Sequence, residues 1–439
     1  MQPLPKGHKK LLNAWAFYDW ANSVYNLTIS SAIFPIFWGA LTIVRDDQDN
    51  IISDTVQFMG IEFNNDSLIS YVTALAFLVV SIISPLLSGI ADYVGNKKNF
   101  LKFFCYLGAL SCIGLYWFSL EQLWFGLLCY FLALIGFWAS LVFYNSYLPD
   151  IAFPEQQDAI SAKGYSLGYI GSVILLIINL VMIMKFEWFG FEGAGVPTRL
   201  SFVMVGVWWI VFSQYTYYYL PKGNKKEELT KSVLFNGFKE LKMIWKALKN
   251  NLRLRRYLSA FFVYSMAVQT IMLIATYFGI EELDWGEQDA TTGLIISILL
   301  IQLVAVLGAY LTSKASSKFG NIKTLIVINF VWIALCIYAY TITTPVQFYV
   351  AAAIVGMVMG GIQALSRSTY SKFLPEDAVD TASYFSFYDV SEKIGIVIGM
   401  FSYGLIAQLT GSIRYSILFL ILFFVVGLLL LFRVPRTES

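Results

Sequence analysis

Long runs of apolar residues, separated by short polar stretches, recur twelve times along this chain. A helix needs about 20 apolar residues to cross the roughly 30 Å hydrocarbon core of a bilayer. The runs are continuously apolar and do not alternate with polar residues as barrel strands do, so they predict α-helices. The predicted spans cover roughly residues 14–42, 68–91, 100–120, 123–147, 164–184, 200–220, 257–280, 290–312, 323–342, 346–368, 382–408 and 414–433.

Composition agrees with a membrane protein. Of the 439 residues, 58% are hydrophobic and 13% are charged, whereas soluble proteins carry about 25% charged residues. The net charge of +2 gives no reason to expect a nucleic-acid partner. With a single histidine, His8, and four cysteines inside apolar runs, we expect no metal site and no cofactor. We also find no phosphate-binding loop and no catalytic constellation, so neither ATP-driven transport nor enzyme activity is expected.

The distribution of basic residues predicts the orientation. With the N-terminus inside, 25 lysines and arginines flank inner loops and only four flank outer loops. Cytoplasmic loops carry such an excess, so both termini are expected in the cytoplasm. The compact loops favour a bacterial inner membrane, and we expect a monomer.

Two short motifs recur at nearly the same offset. Gly95-Asn-Lys-Lys98 corresponds to Gly320-Asn-Ile-Lys323, and the six residues from Tyr144 correspond to those from Tyr370. Such a duplication predicts two pseudo-symmetric six-helix halves, residues 1–220 and 257–439, that move about a shared midplane site.

The segment 221–256 joins the two halves. It predicts an amphipathic helix on the anionic inner leaflet, because lysines occupy one face and apolar residues the other. The apolar positions are Val233, Leu234, Phe238, Leu241, Ile244, Trp245 and Leu248.

A ten-residue motif at the end of the second span indicates a particular fold. Gly89-Ile-Ala-Asp92-Tyr-Val-Gly95-Asn-Lys97-Lys98 resembles the signature between helices two and three of the major facilitator superfamily. Gly95 suits a tight turn, and Asp92 is expected to cap or pair with a neighbouring helix end. In the second copy Gly320 and Lys323 remain, while serines replace Gly89 and Asp92.

A narrower resemblance covers essentially the whole chain. The stretch from Trp15 to Ser23 is similar to the first helix of the "unknown major facilitator" family, which includes the fungal vacuolar amino-acid effluxer of autophagy. Segments 148–150, 168–171, 364–368 and 387–391 follow in that family's order. The resemblance implies a secondary transporter, with amino-acid efflux as one known activity. Most bacterial relatives have glycine where this chain has Glu392.

Polar residues within the first span form one group of candidates. Asp19, Asn22 and Asn26 are spaced at i, i+3 and i+7, so a regular α-helix places them on one face. Such a group could bind an ammonium group or relay a proton. A purely structural network between helices, or a carboxylate reached by cytoplasmic water, is the alternative.

The eleventh span carries a denser group, Asp389, Glu392 and Lys393. Asp389 and Lys393 have the i, i+4 spacing of a helical ion pair. Two carboxylates beside one cation could exchange a proton, since a like charge raises a carboxyl pKa. A structural ion-pair group is again the alternative.

Three more side chains complete the candidate list. Gln269 in the seventh span and Gln363 in the tenth are candidates for substrate binding or proton coupling, with an interhelical hydrogen bond as the alternative for Gln269. Arg367 is either a gating residue or an interfacial anchor. We therefore expect a proton-coupled secondary transporter for a small polar or zwitterionic metabolite, with the bilayer as its other partner. A receptor or scaffold on a transporter fold, and a lysolipid carrier, remain alternatives.

Overall fold

The computed structural model describes residues 4–46, 51–223, 233–286, 289–375, 378 and 380–435. Within these residues twelve helices are long and apolar enough to cross a membrane, as predicted. Span 1 comprises Lys9–Val24, a π-helix Tyr25–Ala32 and Ile33–Thr42. Spans 2 to 12 are Asn65–Val94, Lys97–Gly114, Leu123–Asn145, Pro154–Met184, Gly195–Tyr219, Leu252–Glu281, Ala290–Phe319, Asn321–Thr341, Pro345–Lys372, Thr381–Thr410 and Ile413–Phe432. Short helices lie at Leu115–Trp117, Leu148–Ile151 and Phe186–Phe189.

Local sequence sets where several spans begin and end. Span 10 starts with a capping box, in which Thr344 and Gln347 satisfy each other's backbone amides, followed by a proline in the first turn. Gly95 and Gly320 separate spans 2 and 3 and spans 8 and 9, with φ of 70° and 88°. Only glycine adopts such angles without strain, so the duplicated glycines make the tight turns that the sequence predicts.

Each group of six spans has its own apolar core. One cluster of buried residues is built almost wholly from spans 1 to 6, and a second from spans 7 to 12 with part of the linker. The two groups meet along a seam where span 11 contacts spans 2 and 4, and span 5 contacts spans 8 and 10. We refer to the end of the bundle that holds the turns after spans 2, 4, 8 and 10 as the inner end, since the charge count predicts that it faces the cytoplasm.

Span 1 departs from the regular helix assumed in the sequence analysis. An eight-residue π-helix runs from Tyr25 to Ala32, and a π-helix turns less per residue than an α-helix. The rotation of 100° per residue assumed for Asp19, Asn22 and Asn26 therefore applies only as far as Val24, and Asn26 lies in the π-helix. Span 5 also differs, because it begins at Pro154, ten residues before the predicted 164, and so includes Asp158 and Ser161.

The loop between spans 1 and 2 contains four short strands that the sequence analysis did not predict. Strand β1 (Val44–Arg45) pairs antiparallel with β2 (Ile51–Ser53), and β3 (Thr55–Phe58) pairs with β4 (Ile61–Asn64). Met59 and Gly60, both at positive φ, form the tight turn of the second hairpin.

The linker contains the predicted helix, Val233–Asn250. Ile244 and Leu248 are buried in the core of the second half, and the helix contacts span 2. At these two positions the apolar face therefore packs against protein, not against the leaflet as expected. Residues 224–232 and the side chains of Val233, Leu234, Phe238 and Leu241 lie outside the described part.

Candidate functional site

A buried ion pair joins the two halves of the bundle. Arg367 of span 10 donates from Nη2 to Asp19 Oδ2 of span 1 at 3.1 Å. The Tyr144 hydroxyl donates to the same carboxylate oxygen at 2.8 Å. Asp19 is 4% exposed and Arg367 is 2% exposed, so neither charge is solvated by bulk water. The ion pair therefore stabilises the arrangement in which spans 1 and 10 approach each other.

The first half surrounds the Arg367 guanidinium. Nε donates to Ser161 Oγ at 2.9 Å, Nη2 to the Ser161 carbonyl at 3.0 Å, and Nη1 to Asn145 Oδ1 at 3.2 Å. The guanidinium carbon lies 4.8 Å from the Trp15 ring and 4.2 Å from the Tyr165 ring. Aromatic faces attract cations, more strongly where water is excluded. Arg367 is thus enclosed in the interior, and the interfacial-anchor interpretation is wrong.

Glycines on span 5 permit this close approach. A side chain at Gly164 would collide with Asp19 Oδ2, and one at Gly168 would lie 2.5 Å from Ser23 Oγ. The absence of a Cβ at these positions lets span 1 press its polar face against span 5.

The other two candidates on span 1, Asn22 and Asn26, make fewer contacts than Asp19. Asn22 is buried, its Oδ1 accepts from Ser23 Oγ at 3.3 Å, and its Nδ2 has no hydrogen-bond partner among the described residues. Asn26 is half-buried inside the π-helix. The structure therefore brings Asp19, but not a continuous row of three side chains, to the ion pair.

The predicted group on span 11 is assembled around Lys393. Its Nζ lies 2.8 Å from Asp389 Oδ1 and 3.1 Å from Glu392 Oε2. The Lys393 side chain is fully buried, with its ammonium 3.8 Å from the centre of the Trp138 ring of span 4. Asp389 Oδ2 is buried and has no hydrogen-bond partner in the described part of the chain. Within the described residues, the two carboxylates of this group thus share a single cation.

Two glutamines connect this region to neighbouring spans. Gln269 Nε2 of span 7 donates to Glu392 Oε1 at 2.7 Å. Gln363 of span 10 accepts from the Tyr169 hydroxyl of span 5 at 2.7 Å. The Tyr165 ring lies 4.2 Å from the Arg367 guanidinium carbon and 6.1 Å from the Tyr169 ring, and Gln363 Nε2 donates to Met272 Sδ of span 7 at 3.6 Å. The ion pair and the span 11 group are therefore parts of one polar region along the seam.

Asp92 of the signature lies at the inner end of the seam. Its carboxylate accepts from the backbone amides of Ser383 at 2.7 Å and Ala382 at 3.3 Å, in the first turn of span 11. A carboxylate there is favoured by the positive end of the helix dipole and by the free amides. This contact joins the halves.

The signature lysines after span 2 bind neighbouring segments at the inner end. Lys97 forms an ion pair with Asp150 and donates to Thr381 Oγ1 at 2.8 Å across the seam. Lys98 donates to the Leu220 carbonyl at the end of span 6, at 2.6 Å. Gly89 lies within span 2, and Lys323 is exposed at the start of span 9.

Sequence reasoning missed Asp158, which lies on the opposite side of the seam. Lys372 Nζ approaches its Oδ2 at 2.6 Å, Ser316 Oγ donates to Oδ2 at 2.9 Å, and Asn321 Nδ2 donates to Oδ1 at 2.9 Å. The second signature has no acid of its own, and Asp158 of the first half supplies one there. The Pro-Glu pair at 154–155, typical of a helix start, was the available signal.

Comparison with known proteins assigns the family. The family model described as "Vacuole effluxer Atg22 like" matches residues 7–159 and 154–439. The chain belongs to the vacuole effluxer Atg22-like family. The family resemblance found in the sequence is thereby confirmed.

Relatives of this Atg22-like chain include bacterial and fungal proteins. An uncharacterized MFS-type transporter, YxiO, of Bacillus subtilis is 30% identical over 99% of this chain and 97% of its own length. Autophagy-related protein 22 of Coccidioides immitis is 24% identical over 94% of this chain and 84% of its own length.

Solved structures show the same fold. The Escherichia coli fucose:proton symporter FucP superimposes with a TM-score of 0.67 at 13% identity, over 98% of each chain. The proton:xylose symporter XylE gives 0.70 at 12% identity, over 98% of this chain and 96% of that one. These structures show the fold, while the family match and the MFS-type relative of Bacillus subtilis identify the Atg22-like chain, with its twelve apolar spans, as a multi-pass transporter of the major facilitator superfamily. The prediction of a transporter rather than an enzyme agrees with these relatives.

Proposed function

We propose that this chain is a proton-coupled secondary transporter, in a bacterial inner membrane, that exports a small polar or zwitterionic metabolite such as an amino acid. The observation that carries the proposal is the buried group on span 11, where two carboxylates share one ammonium. Asp19 and Arg367 cancel each other, whereas Asp389, Glu392 and Lys393 sum to −1 when all are ionised. One proton removes that buried net charge.

The free oxygen of Asp389 supports proton binding at this group. An ionised carboxylate in a water-poor site is unfavourable unless it is paired and hydrogen-bonded. Asp389 Oδ2 lacks such a partner among the described residues, so binding a proton relieves its charge. The Glu392 side chain is 18% exposed, more than the Asp389 and Lys393 side chains at 7% and 0%.

The same region suits a zwitterion. Asp389 and Glu392 offer carboxylates to an ammonium group, while Lys393 and Arg367 offer cations to a carboxylate. A ligand of this kind competes with the existing ion pairs for their partners. Its binding therefore weakens the contacts that join the two halves along the seam. The effluxer description of the family favours export.

Transport by purified protein in vesicles tests the proposal. A panel of labelled amino acids is loaded into the vesicles, and efflux is measured with and without an imposed pH gradient. We expect the gradient to accelerate efflux of at least one substrate. Asp389→Asn fixes the neutral form, so it should abolish acceleration by the gradient while substrate exchange, which moves no net proton, continues.

Glu282→Gln is the matched control. It removes the carboxylate of a half-buried ion pair with Arg414, which lies within the second half and away from the seam. Its efflux should still respond to the gradient. Wild-type efflux that ignores the gradient, or Asp389→Asn efflux that still responds to it, contradicts proton coupling at this group.

A further inference from the structure

The linker helix presents a row of lysines. Lys239, Lys242, Lys246 and Lys249 are all exposed and are spaced at i, i+3, i+7 and i+10 along Val233–Asn250. At 100° per residue the four lie within an arc of about 80°, along about 15 Å of helix. We refer to these four residues as the lysine row.

The rest of the helix fixes where this row points. Ile244 and Leu248, on the opposite face, are 5% and 4% exposed in the core of the second half. Met243 and Trp245 border the row and are 55% and 51% exposed. Because the buried face is held by protein, the lysines point away from the bundle.

The lysine row has no acidic partner in the described part of the chain, since none of the ion pairs found there involves these four lysines. The Lys249 ammonium instead lies 5.5 Å from the Trp245 ring centre. An exposed tryptophan beside a basic face is typical of a helix at a membrane interface. The row therefore offers unneutralised positive charge at the inner end of the bundle.

We propose that the lysine row binds the headgroups of anionic phospholipids at the inner surface of the bilayer. Its charge is complementary to an anionic leaflet, where each basic side chain strengthens association about fivefold. A free phosphate ion requires donors that converge on one point, whereas these ammonium groups are spread along the helix. A row of lipid headgroups matches that spread.

The helix is connected to the spans that carry the polar region. Its Trp245 ring lies 5.8 Å from the Phe387 ring of span 11, two residues before Asp389. The helix ends at Asn250, and the next residue, Asn251, caps span 7 by accepting from the Leu254 amide at 2.9 Å. Lipid bound at the row thus acts on a helix that contacts span 11 and leads directly into span 7.

Spin-labelled lipids test this inference independently of transport. The full chain is reconstituted in phosphatidylcholine, and the immobilised fractions of spin-labelled phosphatidylglycerol and spin-labelled phosphatidylcholine are compared. We expect a preference for phosphatidylglycerol that falls at least fivefold when the four lysines are changed to glutamine. Changing the same four to arginine should retain it, and 0.5 M salt should weaken it, as screening requires.

The control variant changes four other exposed lysines at the inner end to glutamine: Lys9, Lys10, Lys314 and Lys318. It loses the same charge and should keep the preference. The inference is overturned if wild type shows no preference, if the row variant keeps it, or if the control loses as much. Displacement of the lipid by millimolar inorganic phosphate would also overturn it, since the row would then be a site for free anions.

Discussion

The ion pair between Asp19 and Arg367 should hold the inner end of the two halves together. Asp19→Asn keeps the size of the side chain but removes its charge. The arginine is then left buried without a counter-ion while spans 1 and 10 remain in contact. We expect this variant to shift the conformational equilibrium away from the arrangement described here and towards one in which the inner ends separate.

The magnitude follows from the geometry. Two unit charges 3.1 Å apart attract by about 5 kcal/mol at an effective dielectric constant of 20. Removing one member of a buried pair typically costs about 3–5 kcal/mol. Ser161, Asn145 and the aromatic rings still contact the guanidinium, so we take the lower end, about 3 kcal/mol. That corresponds to a change of roughly a hundredfold in the equilibrium.

Pulsed electron paramagnetic resonance measures this shift directly. Spin labels at Asn99→Cys in span 3 and Lys318→Cys in span 8 report the separation of the halves at the inner end. Labelling is selective, because the four native cysteines are buried. A new population at longer distance is expected in the Asp19→Asn background. It should shrink when Arg367→Gln is added, since the uncompensated charge is then removed.

Glu282→Gln again serves as the control. It breaks the Glu282–Arg414 pair inside the second half, where the Nε to Oε2 distance is 2.6 Å, and should leave the label distances unchanged. The reasoning is refuted if Asp19→Asn gives the wild-type distance distribution, or if the control produces the same longer distance.

Three further predictions concern the seam and the helix packing. Asp158→Ala should open the inner end more than Lys372→Ala in the same distance measurement, because the aspartate also holds two hydrogen bonds from the second half; equal effects would argue against this. Glu392→Gln leaves the span 11 group neutral without a bound proton, so efflux should respond to a pH gradient less than in wild type; an unchanged response would place proton binding elsewhere. Gly356→Ala puts a Cβ 2.5 Å from the Ile301 carbonyl oxygen of span 8, so it should destabilise the protein by about 1–3 kcal/mol and lower the melting temperature. Gly404→Ala is the control, because a Cβ there meets nothing within 4 Å, and it should leave the melting temperature nearly unchanged.

Much of the fold could be predicted because its signals are local. Span length, the duplicated glycine turns and the family motifs are all read from neighbouring residues, and each predicted span corresponds to a helix in the structure. The group on span 11 is local too, since Asp389, Glu392 and Lys393 lie on one turn of a single helix. The spacing along the sequence is therefore sufficient to predict such a group.

Contacts between halves could not be predicted in this way. Asp19 and Arg367 are separated by 348 positions, and helical periodicity carries no information about which face of another helix a residue meets. Asp158 was missed because the start of span 5 contains too many polar residues to be counted as part of an apolar run. The π-helix at Tyr25–Ala32 also has no periodic signal, because it mixes polar and apolar residues in a pattern that an ordinary α-helix could carry equally well.

Two acids of the first half, Asp92 and Asp158, bond across the inner seam, and this has a consequence for biosynthesis. Among the described residues, the side-chain hydrogen-bond partners of these two acids are amides, hydroxyls and an ammonium on spans 8 to 11, which are synthesised later. Two newly synthesised copies of the first half that met through this surface would leave both carboxylates without these partners, since all of them belong to the second half. The unequal distribution of charge therefore disfavours self-pairing of the early half and leaves its surface available for the segment that follows in the same polypeptide.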